Sequence, residues 1–148
     1  LLKYDNIQAV KESTRDITNV TRIINRFGDR LKVMTGVDTI ALESLLMGAS
    51  GWIAGLVCAF PKETVAIYEL QKVGRIKEAI ALYRWFMPLL ELDINTKLVQ
   101  NIKLAETYTA IGTEFVRPPR LPLLGAERRT VRQTIETALK SRPTLPNY

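Results

Sequence analysis

The sequence predicts an α/β chain: a first part of βαβ units in a parallel sheet, then a second part that is wholly helical. Two observations carry this. Short β-prone runs alternate with amphipathic stretches as far as Ala54, and the intervals are long enough for the helical crossovers that parallel neighbours need. From Pro61 onward the apolar residues recur at helical spacing, punctuated by glycine and proline.

Ile7 to Lys11 (IQAVK) is a strand followed by the polar turn Glu12-Ser13-Thr14. Asp16 to Arg26 is an amphipathic helix, with Ile17, Val20, Ile23, Ile24 and Phe27 at helical spacing and Gly28 as its stop. Leu31 to Thr35 (LKVMT) is a second strand, ended by Gly36. Asp38 suits the N-cap of a helix over Thr39 to Met47, which Gly48 closes. Gly51 to Ala54 (GWIA) begins a third strand, and Gly55 marks its end. Strands of a parallel sheet are covered on both faces, so these runs are expected to be buried on both sides.

Pro61 opens a helix that runs to about Val73, with Gly74 as its stop. Further helices cover Ile76 to about Leu92 and about Thr96 to Ile111, the latter ending at Gly112. Arg117-Pro118-Pro119-Arg120-Leu121-Pro122 cannot be helical and is expected to be an extended connector. A last helix runs from about Ala126 to Lys140, before a proline-containing tail. Gly74 to Ile80 looks like one turn of a tetratricopeptide-type helix pair. No second copy follows at the period of roughly 34 residues that such a repeat requires.

At 148 residues and 47% hydrophobic, the chain is one domain or a large piece of one, with enough apolar surface for a sizeable core. It opens on Leu1 rather than Met, which suggests upstream sequence. The longest apolar region, Ile53 to Phe60, is far below the roughly 18–20 residues of a membrane span, so no membrane partner is expected. No signal peptide is visible. Cys58 is the lone cysteine, which rules out an internal disulfide and fits a reducing, cytoplasmic location. It is expected to be a small buried hydrophobe. There is no histidine, which excludes Ser-His-Asp and Cys-His catalysis within this chain and makes a Cys/His zinc site implausible.

The net charge is +6 and the pI about 9.6. The basic residues are scattered, and the densest group (Arg117, Arg120, Arg128, Arg129, Arg132) falls mostly on the last predicted helix. That pattern describes a solvated or subunit-contact face rather than a nucleic-acid site. Zinc-finger spacing, an RNP-like motif and a phosphate-binding glycine loop are all missing from the sequence.

Lys11 is the residue that asks for an explanation. It sits at the C-terminal end of a strand, where parallel α/β sheets carry their active sites. Partial desolvation there favours the neutral amine, which attacks a ketone to form a Schiff base. The plainer reading is a lysine that snorkels to solvent or pairs with Glu12. Thr35-Gly36-Val37-Asp38 brings a glycine, an N–H and a helix N-terminus to the same rim, a combination that suits a carboxylate. Gly55 is a further place where backbone can approach a ligand. Taken singly, each glycine is equally well explained by a turn.

Val10-Lys11-Glu12-Ser13 after a strand resembles the Schiff-base lysine motif of the dihydrodipicolinate synthase and N-acetylneuraminate lyase family. Thr35-Gly36-Val37-Asp38 resembles that family's Gly-x-Asp segment, about one βα unit later. Gly48-Ala49-Ser50-Gly51-Trp52-Ile53 is similar to its Gly-Ala-x-Gly-x-Ile segment on the last barrel strand. Gly74-Arg75 with Glu78-Ala79, Pro88-Leu89, Lys97, Lys103 and Arg117-Pro118-Pro119 resemble its C-terminal helices. The resemblance covers essentially the whole chain, and the order and spacing are more specific than any one motif.

The resemblance implies the C-terminal part of a (β/α)8 TIM barrel followed by a C-terminal helical extension. The last three strands, 6 to 8, with their intervening helices would occupy residues 1–60, and the last barrel helix plus the C-terminal helical region residues 61–148. It implies a class I lyase or aldolase, a tetramer when intact, in which Lys11 forms an imine with pyruvate or a related 2-oxo acid, without a cofactor. Gly36 and Ile53 would line the site, Ile53 through its backbone. In the sialic-acid-cleaving branch Ser13, Asp38 and Gly55 would also face substrate. Val37 departs from the synthase branch, which carries a second acidic residue there. Gly55 to Pro61 and Arg142-Pro143-Thr144-Leu145-Pro146 look closer to relatives acting on hydroxyproline-derived pyrroline carboxylates, such as a 1-pyrroline-4-hydroxy-2-carboxylate deaminase. The family's first five strands, its carboxylate-gripping Thr/Ser pair and its proton-relay tyrosine precede the lysine and have no counterpart in this sequence. Three strands cannot close an eight-stranded barrel. The chain alone is therefore expected to be an incomplete enzyme, or else a non-catalytic oligomerising fragment.

Overall fold

The computed structural model describes residues 3–148. The chain forms two compact units, one ending at Ala54 and the other spanning Gly55–Tyr148.

The first unit holds β1 (Ala9–Glu12), α1 (Thr18–Phe27), β2 (Lys32–Thr35), α2 (Ala41–Leu46) and β3 (Gly51–Trp52), with 3-10 turns at Gly28–Arg30 and Asp38–Ile40. The strands lie in the order β1-β2-β3. All pairing is parallel, with Lys11 beside Met34, Glu12 beside Thr35, Met34 beside Gly51 and Thr35 beside Trp52. The βαβ expectation is met. β3 is shorter than expected, and Ile53 follows it, donating its N–H to the Thr35 carbonyl at 2.9 Å.

Register neighbours in a sheet share a face, and successive residues alternate between faces. Val10, Glu12, Val33, Thr35 and Trp52 therefore share one face, and Ala9, Lys11, Lys32, Met34 and Gly51 the other. α1 packs on β2, and α2 on β2 and β3. Under them Glu12, Val33 and Thr35 are buried, together with Val20, Leu42 and Leu45. On the other face Ala9, Lys11 and Lys32 are exposed. The expectation that these strands are covered on both sides is thus corrected: one face is covered by helices and the other is open among the described residues of this unit.

Two local details also differ from expectation. α1 begins at Thr18, because the Asp16 carboxylate accepts bonds from the Thr18 amide at 3.0 Å and the Thr18 hydroxyl at 2.6 Å, which holds Asp16 outside the helix. Asp38 is not the N-cap of the helix: it is the first residue of a 3-10 turn capped by Val37, and α2 starts later, at Ala41, with Ile40 at its cap.

The second unit is helical: α3 (Pro61–Lys72), α4 (Ile76–Leu90), α5 (Leu98–Tyr108) and α6 (Gly125–Lys140), with 3-10 turns at Leu56–Cys58 and Glu91–Ile94. Pro61 stands at the start of α3, where its missing N–H costs nothing. Gly74 follows with φ +80°, a left-handed conformation that favours glycine at a helix end. α4 packs on α3 and α6, and α5 on α6. Phe60, Leu70, Phe86, Leu89, Leu90 and Ile135 form the core, and the Phe60 and Phe86 rings meet edge to face with centroids 5.6 Å apart. α4 ends two residues before the expected Leu92 by tightening into the 3-10 turn. α5 ends at Tyr108 rather than Ile111, because the chain doubles back and the Glu106 carbonyl accepts from Ile111 and Gly112. The proline-rich connector is non-helical but makes a turn, with Arg120 N–H donating to the Arg117 carbonyl at 3.2 Å. Cys58 is exposed rather than buried, because Leu56 takes the inward position of their shared turn.

Candidate active site

The alternation of β1 sends Lys11 to the open face, next to Met34. The strand runs one residue further than expected, to Glu12, and Ser13 just beyond it returns to the same face, its Oγ above Gly36. A Cβ built on Gly36 would collide with Ser13 Oγ and Lys11 Cε and would stand 2.8 Å from Lys11 Cγ. Glycine suits position 36 because the side chains of Lys11 and Ser13 occupy the space a Cβ there would need. Lys11, Ser13 and Gly36 form a tight cluster at the C-terminal ends of β1 and β2.

Gly36 does not offer its N–H to a ligand: that group donates to the Glu12 carbonyl at 2.8 Å, continuing the strand ladder. What Gly36 contributes is space. Lys11 is exposed, so the expected desolvation of its amine is corrected for this chain. β1 is an edge strand, and among the described residues its Lys11 side is exposed.

Ile53 follows β3, 45% exposed. Its N–H is taken by Thr35, which leaves the carbonyl oxygen as the group it can present. Asp38 goes elsewhere. It is fully buried and its carboxylate accepts the Trp52 indole N–H at 2.9 Å. Gly55 belongs to the second unit, where the Asp93 carboxylate fills the space a Cβ would need.

Met34 is a member of this face that the sequence reading passed over. It stands in register between Lys11 and Gly51, and its Sδ would lie 3.3 Å from a Cβ on Gly51. The period of two would have found it, since Met34 precedes Gly36 by two.

Two clefts, about 400 and 290 Å³, share Trp85 and Ser141 in the helical unit, and no sequence-predicted site residue lines either. Their hydroxyls are largely spent within α6, as Thr130 and Thr134 donate to the Ala126 and Thr130 carbonyls. Among the described residues no group of three or more Cys, Asp or Glu side chains could hold a metal ion, and no helix is long and apolar enough to cross a membrane.

A parallel β/α sheet with an amine, a hydroxyl and a glycine gathered at its C-terminal strand ends belongs to the class of α/β proteins, barrels among them, that carry their sites there. The family model described as Dihydrodipicolinate synthetase family matches residues 1–138, and the chain belongs to that family. It is 27% identical over 133 residues to a 4-hydroxy-tetrahydrodipicolinate synthase of Chlorobaculum parvum, a match covering 90% of this chain and 45% of the relative. It is 33% identical over 145 residues to an uncharacterized DapA-like lyase of Pyrobaculum islandicum, covering 93% and 48%. Among solved structures, the chloride-inhibited dihydrodipicolinate synthase of Acinetobacter baumannii in complex with pyruvate superposes with a TM-score of 0.84 at 22% identity, covering 93% of this chain and 47% of that one. The synthase of Methylacidiphilum fumariolicum SolV gives 0.81 at 24%, covering 91% and 45%. The fold is thus that of part of these barrels. The chain spans a little under half the length of the relatives it matches.

Proposed function

We propose that this chain carries the imine-forming part of a class I aldolase-type lyase, with Lys11 as the amine that condenses with pyruvate or a related 2-oxo acid. The observation that carries the reading is the convergence of Lys11 and Ser13 on Gly36 at the C-terminal ends of two parallel strands. Membership of the dihydrodipicolinate synthetase family and the likeness to a synthase solved with pyruvate support it.

The neutral Lys11 amine adds to the C2 carbonyl, giving a carbinolamine. Loss of water then leaves a C=N bond, and the protonated imine draws electrons from the neighbouring carbon, so that a C3 proton can leave. Ser13 Oγ stands where it can donate a hydrogen bond to the ketone oxygen as the amine adds. Gly36 keeps room for both side chains, and the Ile53 carbonyl, on the neighbouring strand end, would be the backbone group offered to the substrate.

On this reading the first unit supplies barrel strands 6 to 8, and α3 is the last barrel helix, with α4 to α6 a C-terminal extension. The surface that would close over Lys11 comes from strands this sequence does not contain, so turnover belongs to a tetrameric assembly of the longer protein. The named relatives are synthases and DapA-like lyases, which does not favour the deaminase-like reading.

Borohydride trapping tests the reading. The chain is incubated with pyruvate, reduced and mapped by mass spectrometry. Lys11 should be modified faster than exposed lysines such as Lys77 and Lys140, without turnover by the chain alone. Equal labelling of all three would overturn Lys11 as the imine-forming residue and leave a non-catalytic module.

A further inference from the structure

We propose that Glu12 and Thr14 are positioning residues for the Lys11 site, holding Ser13 in place over Gly36. The proposal rests on the imine chemistry just described for its consequence, but on hydrogen-bond geometry for its substance.

Glu12 follows Lys11 on β1 and so points to the opposite, covered face, where it is only 7% exposed. It cannot touch a substrate held by Lys11. A buried carboxylate needs donors, and two come from one residue. The Thr14 amide donates to Glu12 Oε1 at 3.0 Å and the Thr14 hydroxyl donates to the same oxygen at 2.6 Å. The pair closes a short ring around Ser13.

The Thr14 hydroxyl is also held from its other side. Its single proton goes to Glu12, and its oxygen accepts from Asn19 Nδ2 at 2.8 Å and from the Asp16 amide at 3.4 Å. These bonds use the full capacity of a hydroxyl. Asn19 belongs to α1 and Glu12 to β1, so the turn is anchored at both ends to regular structure. Ser13 is the one residue between the anchors, and its Oγ crowds Gly36 together with Lys11 Cε. A residue on a turn between a strand and a helix would otherwise lose several rotational degrees of freedom on each encounter with substrate. Here that ordering is already done by Glu12 on the covered face of the strand and by Thr14 and Asn19 beyond it.

The test compares Thr14→Val, which keeps the shape and removes the hydroxyl, with Thr14→Ser, which keeps the hydroxyl. One readout is the nuclear Overhauser contact between Ser13 Hβ and Gly36 Hα in the 148-residue chain. The other is the rate of borohydride trapping at Lys11 relative to Lys77 in the same sample, followed against pyruvate concentration. Thr14→Val should weaken the Ser13–Gly36 contact and lower the Lys11 preference roughly tenfold, the scale of one lost hydrogen bond. The loss should fall on the maximal rate rather than on the half-saturating pyruvate concentration, and Thr14→Ser should restore both readouts. Asn19→Ala, which removes the outer donor to Thr14 along with the acceptor of one Arg22 bond, should give a smaller shift in the same direction and serves if Thr14→Val unfolds. An unchanged Ser13–Gly36 contact in the folded variants overturns the proposal. A wild-type chain without preferential labelling at Lys11 overturns the imine reading instead, and the Overhauser comparison still decides the positioning role.

Discussion

The indole N–H of Trp52 is donated to the carboxylate of Asp38 across 2.9 Å, and Asp38 has no exposed surface. This bond ties the end of β3 to the 3-10 turn after β2, one of the places where family resemblance suggested a substrate contact. Trp52→Phe should leave that carboxylate short of a buried donor and destabilise the chain by about 1–3 kcal/mol. Urea unfolding followed by circular dichroism measures this. A variant as stable as the wild type would show that the bond contributes nothing.

Gly36→Ala addresses the cluster directly. The new methyl would occupy the space of Ser13 Oγ and Lys11 Cε, so both side chains must move. We expect a modest cost, about 1–3 kcal/mol for an overpacked site, together with loss of preferential borohydride trapping at Lys11. Retention of that preference would show that the cluster geometry does not govern the reactivity of the amine.

In the helical unit, Glu63 is fully buried, and Arg142 donates to its Oε1 at 2.6 Å through Nε. Oε2 has no hydrogen-bond partner among the described residues. Removing one partner of such a pair leaves an uncompensated buried charge. Arg142→Ala should cost about 3 kcal/mol, toward the low end of that class because the Arg142 side chain is 40% exposed. Adding Glu63→Gln should recover much of the loss. Thermal melts of the single and double variants decide it, and equal stabilities of wild type and Arg142→Ala would refute the ion pair's role.

Asp16 offers a pH-dependent signature beside the site. The Thr18 hydroxyl, then the Thr18 amide, hold its carboxyl below the ordinary carboxylate value, and Arg22 adds a smaller pull. A carboxyl lowered in the folded state stabilises the fold above its ordinary value, and that contribution fades as pH falls through the lowered one. Titration by NMR should place Asp16 below the ordinary carboxylate value, and Thr18→Val should bring it back up. Coincident titration in wild type and variant would show that Thr18 is not the cause.

Much of this was legible in the chain. Proline at the start of α3, glycine after α1 and α3, and the apolar spacing of α4 to α6 are local matters of backbone freedom and helical period, and they marked the elements to within a few residues. Short β-prone runs ended by a polar turn and by a glycine put Lys11 within one residue of the end of β1 and Gly36 just past the end of β2. What a side chain meets across space is not local. Periodicity states which residues share a face, but not which face is covered: only the packing of α1 and α2 showed that Glu12, Val33 and Thr35 are inside while Lys11 is exposed. Leu56 and Cys58 share a turn and a similar apolar character, and only the tertiary packing turned one inward and the other out. The glycines make the same point. The sequence determined that Gly36 and Gly55 lack a Cβ. Only the tertiary structure decided that Lys11 and Ser13 fill the first vacancy and Asp93 the second, because that space is filled by residues brought there by turns and helices whose geometry no residue type encodes alone.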